Sequence, residues 1–147
     1  MGRSMTPSQE LALYEFLHGL DGQTFECGKN DCPLLAAGVL DCMDGGTRRA
    51  AMAGLWHDAR TAWRYMKENG TISEHIRRNG WVEEKKGAAF AQIGDLLIMN
   101  RTLAHDRRWH SVAVCTGAKA AVMTEEVGLI RIPMTELPPV EEVLRWP

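Results

Sequence analysis

The chain has 147 residues, a formal net charge of −2, and 45% hydrophobic and 24% charged residues. That length suits a single domain, 1–147, with a buried core, and the balance excludes wholesale disorder. It also gives no basis for sequence-independent nucleic-acid binding, because the arginines at 48–49, 77–78 and 107–108 come in pairs and form no basic stripe.

The segment MGRSMTPSQE lacks a signal-peptide core, and no apolar run reaches the roughly 18 residues that a membrane helix needs. The expectation is a chain made in the cytoplasm, without membrane insertion of its own. In that reducing setting Cys27, Cys32, Cys42 and Cys115 are expected as thiols, ligands or a catalytic group, and not as a disulfide framework.

Thr6-Pro7 predicts an N-cap with proline at the first helical position. Leu11, Tyr14, Leu17 and His18 follow at helical spacing, up to Gly19 or Gly22. A second helix starts near Asn30 or Asp31, buries Leu35, Val39 and Cys42 or Met43, and stops at Asp44-Gly45-Gly46. Met52, Leu55, Trp56, Ala59, Trp63 and Met66 fall at steps of three and four, which predicts a third helix ending at Gly70. Thr71 and Glu74 fit a capping box for a short fourth helix running to Gly80. His18 and His57 are then expected at the polar edges of helical stripes, and His75 in solvent.

After Gly87 the texture changes. DLLIM, HSVAVCT, AAVMT and LIRIP are short, branched and separated by turns at Gly117 and Gly128, which predicts three or four antiparallel strands. Two adjacent prolines near the end predict only a helical turn around 140–144, with Trp146 packing the tail down. The fold class is therefore α+β, with N-terminal helices packed on one face of a small antiparallel sheet.

The chemistry concentrates at KNDCPLLAAGVLDCMDG, residues 29–45. A cysteine in the first turn of a helix meets unpaired backbone N–H groups and the positive end of the macrodipole, and both favour thiolate. Cys32 is thus a candidate nucleophile, and the same N–H groups are candidates to bind an oxyanion. The competing reading is a buried thiol on an apolar helix face, since cysteine is among the most buried residues. His110, at the start of a strand, is the best-placed base, and a histidine at a strand edge is its plain alternative. His105 lies in a polar connection.

TFECGKNDCPLLAAGVLDCMDG, followed downstream by IGDLLIM and HSVAVCTG, resembles the NlpC-type cysteine peptidases, papain-like enzymes that cut the peptide stems of peptidoglycan. It is more specifically similar to small domains of that superfamily encoded in tailed-phage and prophage tail-gene clusters. The resemblance runs from about Leu11 to Pro133. It implies a papain-like NlpC-type fold, a nucleophile at Cys32, a histidine early in the second strand, and a third catalytic position near Thr124 or Glu125 that orients the imidazole. It implies no cofactor. It also implies a place in the virion tail, at or near the tip, with other tail-tip or hub proteins and peptidoglycan peptides as partners.

The chain departs from the family's pattern at three points. Phe25 stands where active members carry a tyrosine, and Pro33-Leu34 replaces the usual serine-glycine. Counting back from Gly117, the histidine position falls on Ser111, so His110 is expected to need a bulge to reach the site. The same resemblance therefore also implies a second function: a catalytically inactive peptidase fold serving structure or assembly in the tail. A metal or iron–sulfur site from the four cysteines is disfavoured, because their spacing contains no Cys-x-x-Cys pair.

Overall fold

The computed structural model describes residues 5–102 and 108–147, with the side chains of 100–102 and 108–110 outside that description. Among the described residues the N-terminal half forms α1 (Pro7–Leu20), α2 (Cys32–Asp44), α3 (Arg48–Met52), α4 (Ala59–Asn69) and α5 (Ile72–Arg78). The second half forms β1 (Val82–Glu83), β2 (Leu96–Thr102), β3 (Arg108–Cys115), β4 (Lys119–Thr124), β5 (Gly128–Pro133) and β6 (Val140–Arg145). These strands make one sheet in the order β1-β6-β2-β3-β4-β5, with every neighbouring pair antiparallel. The architecture is α+β.

The helices start where short polar side chains meet the first turn. Thr6 and Gln9 form a reciprocal capping box with Pro7 behind the cap, and Asp31 caps α2 by accepting from the Leu34 N–H. Gly45 ends α2 in the left-handed region, as its Asp-Gly-Gly stop predicts. In α2, Leu34, Leu35 and Val39 are fully buried, each burial being worth about 1.5–3 kcal/mol. Gly38 makes the α1–α2 contact possible, since a Cβ there would lie 2.0 Å from the Phe16 ring.

Strand alternation gives the sheet two covered faces. Ile98, Val112, Val114 and Met123 face the helices, whereas Leu97, Met99, Ala113 and Cys115 face a second, smaller core roofed by the connections that carry Ala88, Ala91, Met134 and Leu137. On that second side Arg145 and Asp95 form a buried ion pair. The Arg145 guanidinium donates to both Asp95 carboxylate oxygens, to Glu84 Oε2 and to the Phe90 carbonyl. The Gly-Asp step before β2 thus ties the last strand to the sheet.

Four expectations are corrected. The third helix is two: the chain breaks after Met52, turns through Gly54 at φ 83°, and restarts at α4, where Asp58 forms a capping box with Thr61. A local cap and a buried indole override the helical spacing of 52–66 there. Val140–Arg145 is a strand and no helical turn, because it fills the slot between β1 and β2, where both of its edges are paired. With β1 it raises the strand count among the described residues from three or four to six. In α1 the buried positions are Leu13, Leu17 and Leu20, while Leu11 and Tyr14 are exposed, so the apolar stripe is rotated from the expected one. Trp146 does pack the tail down, edge-on to Trp81 at 6.2 Å.

Candidate active site

Residues 26–30 form a tight loop closed by Glu26 and Asn30, whose backbones exchange hydrogen bonds of 3.0 and 2.7 Å. Its tip requires glycine. Gly28 has φ +82°, and a Cβ there would stand 1.8 Å from the Trp56 carbonyl oxygen. Asn30 Nδ2 donates to the Thr24 carbonyl. From the other side, the half-buried Arg49 donates to the Leu34 carbonyl and stacks over the Phe16 ring at 5.2 Å.

This clamp sets Asp31 and Cys32. The buried Asp31 carboxylate accepts from the Gly28 N–H (2.7 Å), the Leu34 N–H (3.1 Å) and the Trp56 indole Nε1–H (2.7 Å). It therefore caps the helix, holds the loop and fixes an aromatic wall at once. Cys32 is the first residue of α2, half-buried, with its Sγ 3.9 Å from the Met123 carbonyl on β4. The start of the helix thus meets the sheet at the thiol.

The thiol opens on a cavity of about 140 Å³ whose walls include Phe25, Cys27, Trp56, Met123 and Glu125. Burial, then the negative charges of Asp31, Asp58 and Glu125, push the Cys27 thiol up to about 11. Burial and Asp41 push Cys42 up to about 11 as well, and burial raises Cys115. At neutral pH these three are protonated thiols and poor nucleophiles. Cys32 alone of the four stands at a helix start. Among the described residues no group of three or more His, Cys, Asp or Glu side chains gathers to hold a metal ion.

The histidines divide clearly. His18 is exposed on α1 beside Asp21, and His57 is exposed in the connection before α4, not on a helix as its spacing predicts. His75 is not solvated: it is half-buried in α5, with Nε2 buried and without a partner. His105 lies outside the described residues. His110 stands in β3 opposite Asn100, and its side chain also lies outside the described residues.

The backbone register is informative nonetheless. The β2–β3 ladder is regular from Leu96–Val114 to Thr102–Arg108, so β3 contains no bulge there. Val112 and Val114 belong to the helix-side core and Ala113 to the opposite one, as strand alternation requires. Ser111 is the position counted back from Gly117. Ser111 itself is buried and borders the cavity.

The two candidates for the third position separate. The Thr124 hydroxyl donates to the Gly128 carbonyl and accepts from the Val127 N–H, so it closes the β4–β5 turn. Glu125 is exposed and lines the cavity with Cys32.

Residues 5–139 match the family described as Domain of unknown function (DUF6950). The chain belongs to this family. No curated protein and no solved structure matches it. Within this member, sequence reasoning missed Trp56 as a site residue by assigning it to a helical stripe, and it gave Asp31 a capping role alone. The signal for both was a tryptophan followed by His-Asp-Ala, a restart cap hidden inside an apparently continuous helix.

Proposed function

We propose that this domain is a cysteine hydrolase of papain-like type acting on peptide amides, with the peptide stems of peptidoglycan as its substrate class and the phage tail tip as its place. The observation that carries this reading is the position of Cys32: first residue of α2, beside β4, opening on a cavity large enough for several waters or a short peptide segment. The substrate class and the tail location come from the resemblance of the Asp-Cys and Gly-Asp segments.

In the proposed reaction the Cys32 thiolate attacks the carbonyl carbon, and backbone N–H groups at the start of α2 receive the developing oxyanion. His110, in β3, takes the thiol proton and delivers it to the leaving amine. The C–N bond breaks to give a thioester, and water then cleaves it to a carboxylic acid, restoring the thiol. Glu125 orients the imidazole. The test is hydrolysis of purified cell-wall peptides by the whole chain together with alkylation by iodoacetamide. Cys32→Ala should abolish hydrolysis, and a variant that still hydrolyses the peptides rules the reading out.

A second reading has one specific observation in its favour. Phe25 lines the cavity and offers no hydroxyl to an oxyanion. On that reading the domain is a non-catalytic tail-tip assembly component. It should then co-purify with tail-tip or hub proteins and leave wall peptides intact, and turnover by the isolated chain would count against it.

A further inference from the structure

A second cavity, of about 60 Å³, lies between α2, α4 and α5. It shares Pro33, Trp56 and Ala62 with the walls of the Cys32 cavity, so the two recesses abut across the residue that follows the thiol. Its walls are largely apolar, as at Ala36, Leu40, Met66 and Ile76. His75 lines it, lies parallel to the Tyr65 ring at 6.2 Å, and keeps its Nε2 buried without a partner. Asn79, another polar side chain on the wall, has both ends of its amide engaged, by the His75 carbonyl and by Arg48 Nε. A buried imidazole nitrogen without a partner costs free energy that a bound group can recover.

We infer that this cavity is a binding site for a short aliphatic group that ends in a hydroxyl. A hydroxyl suits Nε2 in either tautomer, because it both donates and accepts. The size admits roughly four or five water-sized units, hence a side chain on the scale of threonine and not an aromatic ring. Resting on the cysteine-hydrolase reading, the cavity is the subsite for the residue next to the scissile amide, and it selects peptides with a hydroxylated side chain there.

Two measurements test this. The first is independent of catalysis: isobutanol is titrated into the Cys32→Ala chain while the ring resonances of His75 and the methyl resonances of Ile76, which lines the same cavity and remains in every variant, are followed by NMR. Saturable shifts at His75 are expected, with binding weakened by about three- to tenfold in a His75→Leu variant and lost when Ala36→Leu fills the space. The second compares hydrolysis of two peptides that differ by threonine or valine beside the scissile bond. The wild type is expected to favour threonine in kcat/KM by about three- to tenfold, and His75→Leu to show no preference. Absence of His75 shifts, or shifts that survive Ala36→Leu in a folded chain, overturns the site. Equal cleavage of both peptides overturns its role as a subsite. Cleavage of neither peptide alongside isobutanol binding removes the hydrolase reading and the subsite role with it, and leaves the binding site standing.

Discussion

Cys32 differs from its three fellow thiols by where the backbone puts it. Cys27 shares its cavity, yet burial and the neighbouring carboxylates hold that thiol protonated until about pH 11. Iodoacetamide at neutral pH is therefore expected to give one adduct, at Cys32, by peptide mass mapping. Labelling of Cys27 and Cys42 should grow only as the pH approaches 11, since a raised thiol pKa withholds the reactive form below it. His75 carries the opposite sign. Burial first, with Arg78 adding and Glu74 opposing, holds its imidazole below the ordinary 6.5. The unfolded chain then takes up the proton first as pH falls. This part of the stability is intact above pH 6.5 and declines as pH drops from there towards the folded pKa, and His75→Leu should flatten that slope in urea melts. From residues 29–45 the thiol and its cap were legible. The burial of His75 was not, because it depends on Tyr65 closing over it from another helix.

Helices with clear punctuation were legible for a physical reason. Thr6-Pro7, Asp31 and Thr71 each satisfy N–H groups within one turn, so the signal lies in adjacent residues. The split after Met52 and the strand at Val140–Arg145 depend on distant partners, Asp31 for the indole of Trp56 and the edge of β2 for β6. Two substitutions probe such long-range elements. Gly28→Ala places a Cβ against the Trp56 carbonyl in a left-handed conformation, and it should lower stability in chemical denaturation by roughly 2 kcal/mol or more. Arg145→Met strands the buried Asp95 carboxylate and should cost about 3–5 kcal/mol. The double variant Arg145→Met/Asp95→Asn should recover part of that loss, which identifies the unpaired charge as the cause.

At the scale of the molecule, one sheet separates a large helix-side core from a smaller one on the reverse. β2 is paired along both edges and buried on both faces through Leu96–Met99. Its amides, with those of Val112–Val114, should exchange slowest with deuterium, whereas α3, which buries no residue, should exchange among the fastest. A fast β2 with a slow α3 would show that stability is distributed otherwise. The helix-then-meander order was visible in the change of texture after Gly87, and it fixed the class. Sheet order was hidden, because pairing across the sheet leaves no mark in local composition.

The insertion of β6 between β1 and β2 has a consequence for biosynthesis. A ribosome delivers β1 and β2 long before it delivers the strand that joins them, so nascent intermediates present two open edges and an Asp95 still lacking its guanidinium. The β2–β5 meander can pair without β6, but completion of the sheet must wait for residues 140–145, and a stalled or prematurely terminated product exposes those edges to chaperones and proteases.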